Sequence, residues 1–101
     1  IFFLNIIIEK KKEKMMKYVA EFLGTFIFTS VILAVAEPIP IAVALLAAIY
    51  FGGKVSGAHY NPAVSVMMYL NKSLSARDLP MYVVAQVGGA CAALYFSKMM
   101  K

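Results

Sequence analysis

Residues 56–65 read Ser-Gly-Ala-His-Tyr-Asn-Pro-Ala-Val-Ser, a polar stretch in an otherwise apolar chain. Asparagine is a favoured N-cap, and proline suits the first helical position, where its missing N–H would have no intrahelical partner anyway. Asn61-Pro62-Ala63 therefore predicts a helix start. The Asn61 carboxamide has an oxygen to cap that helix and an NH2 left over as a donor to a solute. Gly57 and Ala58 let the incoming backbone turn and approach closely. The chain has one histidine, His59, and one cysteine, Cys91, which leaves no ligand set for a structural zinc and no internal disulfide. The chemistry available is the giving and taking of hydrogen bonds. No covalent step, enzymatic activity, metal or cofactor is expected.

The elements that must position these groups are membrane elements. Of 101 residues, 62% are hydrophobic and only 15% charged, a composition in the membrane range. The net charge of +5 does not indicate nucleic acid as a partner. Half of the ten basic residues, Lys10, Lys11, Lys12, Lys14 and Lys17, form one run beside a hydrophobic segment, which suits a lipid headgroup layer. Tyr18 to Ala36 holds a single charge and at about 1.5 Å per residue covers most of a roughly 30 Å hydrocarbon core. Glu37-Pro38-Ile39-Pro40 then breaks the helix. A second span is expected over 38–54, with Lys54 snorkelling at its end, and a third over 79–96. The apolar stretch 62–70 between them is too short to cross and reads as a re-entrant or surface half-helix. The expected fold is all-α and integral to the membrane: three transmembrane helices plus one half-helix, over residues 17–97.

The chain opens on Ile1, and residues 1–16 are expected to be a disordered leader or translated upstream sequence, with Met15 or Met16 as the start. Residues 98–101 are a polar tail. Small residues recur at spacings that let helices approach closely in lipid: Ala20 and Gly24 in the first span, Ala44, Ala48 and Gly52 in the second, Ala85, Gly89 and Ala93 in the third. Tyr50, Tyr82 and Tyr95 lie near span ends and read as interface anchors. Glu21 is costly inside a span unless it is paired. A helix starting at membrane depth must turn its free N–H groups toward protein or a water-filled cavity.

Gly-Gly-Lys-Val-Ser-Gly-Ala-His-Tyr-Asn-Pro-Ala-Val-Ser-Val, residues 52–66, resembles the first signature loop of the aquaporin and glycerol-facilitator family, the major intrinsic proteins. Residues 17–26, KYVAEFLGTF, resemble that family's opening helix with its glutamate, and residues 82–94, YVVAQVGGACAAL, its third helix. The resemblance covers about residues 17–96. It implies two inverted three-helix repeats, each with a half-helix, whose N-termini meet at the membrane centre and exclude protons and cations. It also implies that Asn61 donates to the solute. His59 and the Gly57–Tyr60 backbone would line the approach, and Ile41 would stand in the selectivity constriction. Glu21 and Gln86, with Ser56 and Gly57, would support the loop.

One Asn-Pro-Ala and three spans make only the first inverted repeat, and the arginine of the constriction has no counterpart. The expected function is thus a channel half-unit for passive flux of water or small neutral solutes such as glycerol, which needs a second copy or a partner half. The alternatives are a nonconducting fragment, a membrane assembly subunit or a basic peripheral peptide. In the family-like orientation eight basic residues, Lys10, Lys11, Lys12, Lys14, Lys17, Lys54, Lys72 and Arg77, fall inside, against Lys98 and Lys101 outside. That bias opposes an antiparallel pair of copies. A start at Met16 would reduce it to four against two. The final Ser-Lys-Met-Met-Lys fits either a natural polar end or a break within the next loop.

Overall fold

An apolar chain satisfies its backbone most simply as helix, and the computed structural model, which describes residues 1–101, is helical almost throughout. Its elements are α1 (Phe2–Ala34), α2 (Pro38–Ser56), α3 (Pro62–Leu70) and α4 (Asp78–Met99), with no strand. α1, α2 and α4 are each long and apolar enough to cross a membrane. The all-α architecture of three spans and a half-helix thus matches the expectation.

Over residues 1–16, where a disordered leader or translated upstream sequence was expected, α1 runs unbroken from Phe2. The lysines and glutamates of that run are good helix formers, and Glu9 and Lys12 face each other one turn apart at 3.8 Å. That pair is exposed and contributes little. The 33 residues of α1 reach about 50 Å at 1.5 Å per residue, the full 50 Å extent of the molecule. Its first turns therefore project past a hydrocarbon core of about 30 Å, and residues 1–13 are exposed throughout.

α1 is the central element, packed along both α2 and α4, while α3 rests on α4. The interior is more polar than the exterior. Glu21, Thr25, Ser56, His59, Ser65, Asp78 and Gln86 are buried, against five buried hydrophobic residues, whereas Leu46, Phe51, Leu70 and Val84 are at least 64% exposed. Water would penalise that arrangement and lipid favours it, because the only place a polar group finds partners is inside the bundle.

The small-residue faces pack in two different ways. A Cβ on Gly89 would run into the carbonyl oxygen of Phe22, so α4 and α1 do meet backbone to backbone there. On α1 and α2 the space left by Gly24 and Gly52 is filled instead by the side chain of Tyr60, which a Cβ at either position would strike. Those glycines receive a loop residue rather than each other's helix. Tyr82 also departs from expectation. It is 1% exposed, and its hydroxyl donates to the Ser56 carbonyl at 2.6 Å, so it is an interior strut and not an interface anchor. Tyr50 and Tyr95 are exposed.

Candidate functional site: a loop and half-helix held by a buried carboxylate

Glu21, in the middle of α1, is fully buried, and its carboxylate accepts four hydrogen bonds. Oε2 takes the Ser56 hydroxyl at 2.7 Å and the His59 N–H at 3.0 Å. Oε1 takes the Tyr60 N–H at 2.8 Å and the Gln86 side-chain amide at 2.8 Å. A carboxylate has about four acceptor positions, so the set is full without a counter-ion. The donors come from α2, the loop and α4, and one residue of α1 thereby ties all three to it.

The loop needs that hold because its backbone is unusual. α2 ends at Ser56, and Gly57 caps it at φ 89°, with its N–H on the Gly53 carbonyl at 3.0 Å. Ala58 and Tyr60 follow at φ 54° and 53°, a left-handed region that costs a residue with a Cβ on the order of 1 kcal/mol or more. The Ala58 N–H is held by the Ser56 hydroxyl at 3.1 Å. Tyr60 wedges its ring between α1 and α2 and donates its hydroxyl to the Ala48 carbonyl at 2.7 Å.

His59 turns the other way. Its ring is buried, with Nδ1 2.9 Å from the Ser65 hydroxyl and the ring centroid 5.1 Å from that of Tyr82. Ser65 in turn accepts from the Gln86 amide at 2.9 Å, which closes a chain Ser56–Glu21–Gln86–Ser65–His59 from α2 through to α3. His59 also lines a polar recess of about 440 Å³ with Ser56, Ser73, Ser75 and Asp78.

The peptide plane carries a consequence for the opposite side of the loop. An N–H and the carbonyl of the preceding residue point in opposite directions. Because the His59 and Tyr60 N–H groups face Glu21, the carbonyls of Ala58 and His59 face away from it, and they accept no bond within the protein. Next along the chain stands Asn61, extended at φ −161° and exposed. Its Oδ1 caps α3 by accepting the Ala63 N–H at 2.8 Å, as the sequence reading required. No protein group takes its NH2. Two free acceptors followed by a free donor at the positive end of a helix can hydrogen-bond a small molecule that both donates and accepts.

Glu21, Ser56, His59 and Gln86 are thus gathered in the interior, the exposed Gly57 turns the chain beside them, and Asn61, Pro62 and Ala63 sit at the open side. Ile41 lies apart. It is in the first turn of α2, its N–H on the Glu37 carbonyl at 3.2 Å, about 22 Å along the helix from Ser56 at 1.5 Å per residue. Tyr60, Ser65 and Tyr82 belong to the site and were missed as such. The glycines at 24 and 52 were a usable signal for Tyr60, since small residues facing each other can leave room for a third side chain.

The Major intrinsic protein family profile matches residues 8–101. Among characterised relatives, the chain is 40% identical over 88 residues to the glycerol uptake facilitator protein-like 6 of Lactiplantibacillus plantarum, covering 78% of this chain and 41% of that protein. It is 40% identical over 92 residues to aquaporin Z of Brucella melitensis, covering 76% and 40% respectively. Against the glycerol uptake facilitator protein of Pseudomonas aeruginosa it is 55% identical over 47 residues, 46% of this chain and 17% of that one. The chain spans about two fifths of the length of the first and second of these. No solved structure matches it significantly. Three apolar spans and a capped half-helix, together with a family match over nearly the whole sequence, make this an integral, multi-pass membrane protein: it belongs to the major intrinsic protein family.

Proposed function

We propose that these residues form one half of a passive channel for water or small neutral solutes such as glycerol, closed into a pore by a second copy of the chain or by a complementary half. The observation that supports this is the unpartnered Asn61 NH2 beside the unpartnered carbonyls of Ala58 and His59. A water or glycerol hydroxyl donates to the carbonyls and then accepts from Asn61. The N-terminus of α3 opposes a cation at the same point by its dipole. Glu21, Gln86 and Ser56 do not touch solute in this reading; they hold the backbone that does. Ile41 contributes an aliphatic surface at the far end of α2, which discriminates weakly between water and small polyols. The face bearing Asn61 is open in the single chain, so an opposing wall is needed.

Stopped-flow light scattering of proteoliposomes containing the purified chain tests the proposal. Copies that assemble should shrink the vesicles faster under an osmotic step than protein-free controls. Inserted protein that adds no flux would overturn conduction by this chain alone. The same preparation with glycerol as osmolyte reports which solute class passes.

A further inference from the structure

Apart from the proposed solute path, α1 and α2 leave a second concavity. An apolar groove of about 460 Å³ runs between them, with Met16, Leu23, Ile27, Ala47 and Phe51 on its walls and Tyr60 in its floor. Next to it lies a recess of about 480 Å³ that carries Lys12, Lys17 and Lys54 together with Glu9 and Glu13. Met16 and Val55 line both spaces, so the two adjoin. Glu9 pairs with Lys12, and this is the only ion pair of the chain. Lys17 and Lys54 have no carboxylate partner.

We infer that this composite surface binds one anionic phospholipid, with the phosphate headgroup at Lys17 and Lys54 and one acyl chain along the α1–α2 groove. The dimensions fit. From Met16 to Ile27 the groove follows eleven residues of helix, about 16 Å, and one leaflet is half of a hydrocarbon core of about 30 Å. An acyl chain gains little hydrophobic free energy by leaving other acyl chains for a protein groove in the same bilayer. Selection must therefore come from the headgroup, which requires free cations at the headgroup end, and that is where they are. The lysines also lie on the side that the charge bias assigns to the cytoplasmic leaflet, where anionic lipids concentrate. The inference does not depend on whether the chain conducts.

Native mass spectrometry of the full chain in detergent, titrated with phosphatidylglycerol or phosphatidylcholine of matched acyl chains, tests it. One phosphatidylglycerol should be retained in preference to phosphatidylcholine. Each of Lys17→Gln and Lys54→Gln should weaken it about fivefold, as expected for one lysine near a lipid surface. Ala47→Trp should exclude the acyl chain with both lysines intact, whereas Val84→Trp, at an exposed position of α4, should leave binding unchanged and so controls for bulk. Equal retention of the two lipids, or indifference to both lysine substitutions, would overturn the assignment. So would disulfide crosslinking between copies through a cysteine placed at Leu23, since the groove would then hold a second protein chain.

Discussion

At the residue scale, the Asn61 carboxamide uses one of its polar atoms and leaves the other free. Oδ1 caps α3, and the NH2 faces the open side. Asn61→Asp keeps the capping oxygen, removes the donor and adds negative charge at a helix N-terminus, where it is tolerated. Insertion and thermal stability should therefore hold while water flux falls about fivefold, the worth of one ordinary hydrogen bond; flux equal to the parent would remove Asn61 from the solute path. Glu21 is the opposite case, a residue with no exposure and four donors. Glu21→Gln sets an NH2 against donors and leaves at least one of them unpaired. Since an unsatisfied buried donor costs about 1–3 kcal/mol, unfolding in a denaturing-detergent titration should be easier by on the order of 2 kcal/mol. A smaller cost than Asn61→Asp would contradict the central place given to this carboxylate.

At the element scale, the α1–α2 interface is a sandwich with Tyr60 as its filling. A Cβ on Gly52 meets the Tyr60 hydroxyl, whereas one on Gly24 meets the ring itself. Removing the hydroxyl should therefore relieve the first clash and not the second. Gly52→Ala should destabilise the bundle by about 1–3 kcal/mol, the usual cost of overpacking, and adding Tyr60→Phe should recover part of it despite the lost bond to the Ala48 carbonyl. Gly24→Ala should gain nothing from the same second change. A double-mutant cycle measures the difference as a coupling energy, and equal coupling at the two glycines would show that the ring does not sit as described.

At the scale of the whole molecule, the fold gathers most of the basic residues at one end, which predicts one insertion. The recess holding Lys12, Lys17 and Lys54 and the one bordered by Lys17, Ser73 and Asp78 share the same end of the bundle, which brings the α3–α4 connection with Lys72 and Arg77 to that end too. Lys98 and Lys101 are at the far end of α4. With eight basic residues against two, an impermeant thiol reagent should reach a cysteine at Ser75 and one at Lys101 from opposite sides of the membrane, in a background with Cys91→Ala. Labelling of each site from both sides would show mixed insertion. It would also make an antiparallel pair of copies the natural way to close the pore.

The features readable in the sequence are those governed by short-range rules. The Asn61-Pro62 helix start, the proline break after Glu37 and the three spans depend on caps, ring sterics and apolar length, each set within a few residues. Glu21 and Gln86 could be marked as groups needing partners, because an unpaired polar group in lipid is costly wherever it sits. Which partners they take was settled only by the tertiary structure. Ser56, His59, Tyr60 and Gln86 reach Glu21 from 35, 38, 39 and 65 residues away, and no local pattern encodes such a meeting. The same holds for Tyr82, whose position near a span end suggested an interface until its hydroxyl was found on the Ser56 carbonyl, and for Gly24 and Gly52, whose spacing did not reveal that an aromatic ring would stand between them. Sequence determined where helices begin, break and cross; the packing of α1 against α2 and α4 decided which side chains close on the loop, and so which of its backbone groups stay free.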